Sequence, residues 1–161
     1  MRNTEEAFLW IINILEDKEI KYKISGGFSA RLYGVERELA DIDIEIIDED
    51  FSKILNEIKD YIIFGPDRYK DAHWDLNLIT LNYEGQEIDL ASVQAKIFNN
   101  NTKLWELKNT IENWMDSDNF EIKEVFGKKV LIESIKSLKE YKVKLSRDVD
   151  LEDLKQLNKI F

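Results

Sequence analysis

Residues 40–47, ADIDIEII, alternate acidic and apolar side chains without a break. Side chains in a strand have a period of two, so Ile42, Ile44 and Ile46 point one way and Asp41, Asp43 and Glu45 the other. An apolar face this strong must be buried. The strand therefore lies within a sheet and turns its acidic face toward a cleft. On that face the Cβ atoms of Asp41 and Asp43 are about 6–7 Å apart, given the rise of a strand. Carboxylates that close repel each other unless a cation sits between them. Mg²⁺ favours a few carboxylate oxygens together with water and substrate phosphate oxygens. A D-x-D pair alone also describes an amphipathic strand with a solvated acidic face.

Two further features bear on the pair. Ser25-Gly26-Gly27 falls where the short alternating segment 21–25 gives way to a helical pattern over 28–34. Glycine at such a junction lets the backbone approach an anion closely. Asp89 supplies a third carboxylate. It lies in the segment 86–91, between Ile88 and Leu90, which face the other way. A third acid can act as general base toward an acceptor hydroxyl or complete a second metal site.

The rest of the chain reads as helix over 3–17, opened by a capping box from Asn3 to Glu6. A further helix is expected over 50–60. A hairpin is expected over 75–83 and 86–91, turning at Glu84-Gly85, and another over 119–131, turning at Phe126-Gly127. The segment 102–115, which carries Trp105 and Trp114, is predicted to be helical, and 133–146 and 151–160 to be two closing helices. The expected fold is α+β, a mixed β-sheet with helices on one side and a helical C-terminal end. With Pro66 as the one proline and no flexible linker, residues 1–161 are expected to form a single domain, with a core over about 1–95 and the C-terminal hairpin and helices over about 102–161.

A net charge of −10 lacks the Lys and Arg excess that duplex DNA binding runs on. It fits a small anionic ligand whose charge is met by a divalent cation. The chain has no cysteine, no basic run leading into an apolar one at its start, and no apolar stretch of bilayer-spanning length. The expectation is a cytoplasmic protein without disulfides or membrane contact.

The stretch from Ile24 to Ile46 resembles the DNA polymerase β-type nucleotidyltransferase superfamily, most closely its small bacterial and archaeal branch. That branch includes aminoglycoside and lincosamide nucleotidyltransferases and abortive-infection toxins. The matching positions are Gly26, Gly27, Gly34, Arg37, Asp41 and Asp43, with Asp89 where the third carboxylate is expected. A second match follows near the C-terminus. Lys142 precedes Arg147 by five residues, and Asp150-Leu151-Glu152-Asp153 comes next. The resemblance covers roughly residues 20–91 and 130–160. The segment 92–118 matches nothing in the family. Two positions depart from its pattern: Phe28 stands where a phosphate-contacting serine is common, with Ser29 one later, and Leu39 stands where threonine is common.

The resemblance implies a metal-dependent nucleotidyltransferase fold that moves a nucleoside monophosphate from an NTP, with ATP the expected one, to an acceptor hydroxyl. Asp41, Asp43 and Asp89 would be the catalytic and metal-holding residues, with Mg²⁺ or Mn²⁺. Ser25, Gly26, Gly27, Ser29, Arg37, Lys142 and Arg147 would meet the nucleotide. Arg147 could instead pair with Asp150. The acceptor stays open between a small molecule, a protein and an RNA. So do a homodimer, an antitoxin partner for a toxin-like transferase, and a non-catalytic nucleotide- or protein-binding member of the same fold.

Overall fold

The alternating segment forms the strand it predicts. In the computed structural model, which describes residues 3–161, that strand is β2 (Asp41–Ile46). The other elements are α1 (Thr4–Asp17), β1 (Lys23–Ser25), α2 (Gly26–Leu32), α3 (Phe51–Ile58), β3 (Ile62–Lys70), β4 (Trp74–Tyr83), β5 (Gln86–Ser92), β6 (Lys96–Asn99), β7 (Leu104–Leu107), β8 (Phe120–Val125), β9 (Lys128–Glu133), α4 (Ile135–Leu145) and α5 (Asp148–Ile160).

The strands form one mixed sheet in the order β7-β6-β4-β5-β2-β1-β9-β8, and β3 pairs with β4 alone. At its centre β2 runs parallel to β5 and antiparallel to β1. Ile42, Ile44 and Ile46 of β2 are fully buried, in one cluster with Phe8, Ile11 and Leu15 of α1 and Ile54 and Ile58 of α3. The opposite face of β2 opens on a cavity, closed at one end by residues of α4 and α5. Helix α1 starts as its sequence predicts: the Asn3 side chain accepts from the Glu6 N–H at 3.0 Å and donates to the Glu6 carboxylate at 3.0 Å.

One expected helix is absent. Residues 102–115 hold the strand β7, paired with β6, followed by turns. Local hydrogen bonding outweighs the helical spacing of the apolar residues here. Asn99 Oδ1 accepts from the N–H groups of Asn101 and Thr102, which tightens the β6–β7 turn. Thr110 and Asn113 exchange side-chain-to-backbone bonds in both directions. Asn and Thr that bond the nearby backbone in this way compete with a helix for it. Trp114 is buried, whereas Trp105 lies exposed on β7. Strand β3 has no counterpart in the sequence reading. It carries Gly65-Pro66, its register on β4 shifts twice, and it is an edge strand, where proline is tolerated.

Candidate active site

The parallel register of β2 and β5 explains why the three carboxylates meet. Asp43 sits directly opposite Asp89, and Asp41 is one same-face position before Asp43. Their oxygens all lie within 4.8 Å of one another. The row continues to either side, with Ser25 of β1 opposite Asp43 and Thr80 of β4 opposite Asp89. The Thr80 hydroxyl donates to Asp89 Oδ1 at 2.7 Å.

Gly26, at the start of α2, has φ +62°, and a Cβ built there would overlap Asp43 Oδ2. Glycine is therefore required both by the left-handed backbone and by the carboxylate against it. A Cβ on Gly27 would lie 2.6 Å from Arg37 Nη2. Both glycines, Ser25, Leu39 and the three aspartates line one cavity of about 490 Å³, within the range of small-ligand sites. Phe28 leaves this cavity open. It is 2% exposed and packs on Phe8 with ring centroids 5.6 Å apart. Ser29 does not line the cavity, and its buried Oγ has no hydrogen-bond partner among the described residues.

Cations from α4, the α4–α5 junction and the segment before β2 form a second wall. Lys142, Arg147 and Arg37 all line the cavity. Lys142 Nζ is 2.8 Å from Asp153 and 3.3 Å from Asp150, and both carboxylates are buried. Arg37 binds Asp153 through two nitrogens at 2.6 and 3.0 Å, and Arg147 binds Asp150 at 2.7 and 3.1 Å. The Lys142–Arg147–Asp153 spacing thus builds one alternating ionic chain, in which Arg147 takes the pairing with Asp150.

Sequence reasoning missed the floor of the cavity. Glu45, the third acid on the β2 face, is met by Lys108 at 3.0 Å, by Trp114 Nε1 at 3.2 Å and by Asn109. Lys108 also reaches Glu133 at 3.2 Å. Burial alone would lower the Lys108 ammonium, but the Glu133 and Glu45 carboxylates reverse this and raise it. Glu45 was visible as a same-face residue. Nothing in the segment 92–118 marked Lys108.

Among the described residues no ion pair of this kind meets Asp41, Asp43 or Asp89. Asp43 is held well above the usual carboxylate range, by burial first and then by the charges of Asp41 and Asp89, while Lys142 and Lys108 pull it down. Asp89 is pushed up to about 7 by burial and by Asp41, with the Thr80 hydroxyl opposing. Three mutually repelling oxygen donors around one point fit a hard divalent ion such as Mg²⁺ or Mn²⁺.

These shifts give a pH dependence. Between about pH 4 and 7 the folded protein holds on Asp89 a proton that the unfolded chain has released, so stability falls as pH rises through that window, and Asp43, whose shift has the same sign, acts in the same direction. In EDTA the melting temperature should drop by roughly 5–10 °C from pH 5 to pH 8, at about 1.4 kcal/mol per pKa unit and 2–4 °C per kcal/mol for a chain of this size. Mg²⁺ or the substitution Asp89→Asn should flatten that slope. A slope unchanged by either would contradict this picture of the triad.

No protein-family model and no curated protein matches the chain. Its fold, however, is that of the nucleotidyltransferases, as solved structures attest. A candidate nucleotidyltransferase from Thermotoga maritima superposes with a TM-score of 0.66 at 19% identity, over 96% of this chain and 94% of that one. The lincosamide antibiotic adenylyltransferase LnuA, solved with lincomycin bound, gives 0.60 at 17% identity over the whole of both chains. ANT(2'')-Ia, in complex with adenylyl-2''-tobramycin, gives 0.60 at 12% identity over 96% and 87%. Among the described residues no helix is long and apolar enough to cross a membrane.

Proposed function

We propose that this protein is a nucleotidyltransferase that moves the nucleoside monophosphate of an NTP onto a hydroxyl of a small molecule. The observation that carries the reading is the convergence of Asp41, Asp43 and Asp89 beside Gly26 in one open cavity. Asp41 and Asp43, with Asp89, would hold Mg²⁺ or Mn²⁺. When bound, that ion neutralises triphosphate charge and polarises the phosphorus under attack.

The chain's own groups divide the remaining work. Gly26 and Gly27 let the backbone approach the phosphates, and Ser25, Arg37, Lys142 and Arg147 form the cationic and polar wall on that side. Ser29 is buried and lies outside this lining. Asp89 stands nearer β4, and it orients the acceptor hydroxyl and takes its proton. The acceptor oxygen bonds to the α-phosphorus, the bond from that phosphorus to the bridging oxygen breaks, and pyrophosphate leaves.

The acceptor side is the wall of β3 and β4. Tyr69, Trp74, Leu76 and Leu78 give it apolar and aromatic surface. Its carboxylate Asp71 accepts from the Tyr69 hydroxyl at 2.9 Å and from two backbone N–H groups at 2.7 Å. Asp71 in this wall and Glu87 of β5, which also lines the cavity, disfavour a phosphorylated acceptor. A ring-bearing small molecule, as in LnuA and ANT(2'')-Ia, fits this chemistry better than an RNA end.

The test is incubation with α-labelled NTPs, Mg²⁺ or Mn²⁺ and a panel of hydroxyl-bearing small molecules. Pyrophosphate release with label in an acceptor is the expected result. Nucleotides left intact under every condition would count against the assignment.

A further inference from the structure

The third carboxylate is anchored differently from the other two, and the anchor lies outside every motif in the sequence. Asp89 is the end member of the triad toward β4, and Thr80 is its cross-strand partner. Residues paired in this way on one face of adjacent strands have Cβ atoms about 4.5–5.5 Å apart, which suits a bond between two short side chains. Threonine is also stiff about χ1, so in a strand its hydroxyl is held in few directions. The observed bond, 2.7 Å from Thr80 Oγ1 to Asp89 Oδ1, occupies one carboxylate oxygen and fixes the plane of the group. Asp89 also offers an oxygen to the cluster with Asp41 and Asp43, all within 4.8 Å of one another. Without the hydroxyl, repulsion from Asp41 would be free to rotate the Asp89 carboxylate out of the cluster.

We propose that Thr80 is a positioning residue for the divalent cation site, setting the carboxylate plane of Asp89 so that the group completes the cluster with Asp41 and Asp43. This rests on the function proposed above. Partners one step removed from a metal typically alter affinity by about 10–100-fold when lost.

The test uses the whole chain and Mn²⁺ alone, with binding followed by calorimetry or by the paramagnetic resonance of free Mn²⁺. Thr80→Val keeps the shape and the strand preference and removes the hydroxyl. It should weaken Mn²⁺ binding about tenfold or more with little change in melting temperature. Thr80→Ser, which keeps the hydroxyl, should restore binding to near the wild-type level. Thr80→Ala serves as a second hydroxyl-free variant should the valine protein fold poorly. Equal Mn²⁺ affinity in wild type and either hydroxyl-free variant would overturn the proposal, as would a serine variant as weak as valine. Absence of Mn²⁺ binding in the wild type would instead defeat the nucleotidyltransferase reading itself.

Discussion

Asp43→Asn is expected to leave nucleotidyl transfer at least about a thousandfold below wild type, because the interaction removed is worth several kcal/mol in the transition state. The same substitution should raise the melting temperature of the metal-free protein at pH 8. Asp43 lies against Gly26, between Asp41 and Asp89, with its charged form disfavoured by burial and by both neighbours. Asparagine keeps the shape and removes the repulsion. A residue whose loss both stabilises the fold and abolishes activity is held in place for function rather than for packing. Rate measurements and thermal melts in EDTA on the same preparation check both halves. A variant that transfers at the wild-type rate, or that melts well below wild type, would contradict the role assigned to Asp43.

Lys108→Met should cost the fold a large share of its stability. Lys23, Lys108, Glu45 and Glu133 form a buried group of two cations and two anions. Lys23 is also spent on the Trp114 carbonyl at 2.9 Å, and it stands 3.9 Å from Glu45. Removing Lys108 leaves two buried carboxylates facing one ammonium. Breaking a buried pair from one side costs about 3–5 kcal/mol, or roughly 8–15 °C in melting temperature for a chain of this length. Adding Glu133→Gln to Lys108→Met restores the charge balance and should recover a large part of the loss. Denaturant unfolding of the two single variants and the double variant measures the coupling directly. A loss under about 1 kcal/mol for Lys108→Met, or no recovery in the double variant, would show that the group is not balanced in this way.

The parts of the fold legible in the sequence are those where one local rule acts alone. Strict alternation fixed the faces of β2, and because β5 pairs with it in register, Asp89 followed once its own alternation was read. The Asn3 capping box and the Phe126-Gly127 turn were likewise local signals, and the latter joins β8 to β9. The failures lie where long-range contacts or side-chain turns decide. Residues 102–115 carry apolar residues at helical spacing, yet Asn99, Thr110 and Asn113 spend their side chains on turns. Strand β3 exists because β4 offers it an edge, which no pattern within residues 62–70 announces. At the site, the triad was visible because all its members sit on alternating strands. Lys108 and Thr80 were not, since each matters only through a partner distant in the chain or across the sheet.

Three acidic side chains gathered at one point repel one another, and a cation with the anion it carries would relieve that repulsion. Calorimetric titration of the wild-type protein with a non-hydrolysable ATP analogue, in Mg²⁺ and again in EDTA, tests this most directly. Binding that requires Mg²⁺ and vanishes in EDTA is the predicted result. Binding of equal strength without the metal, or none with it, would contradict the account.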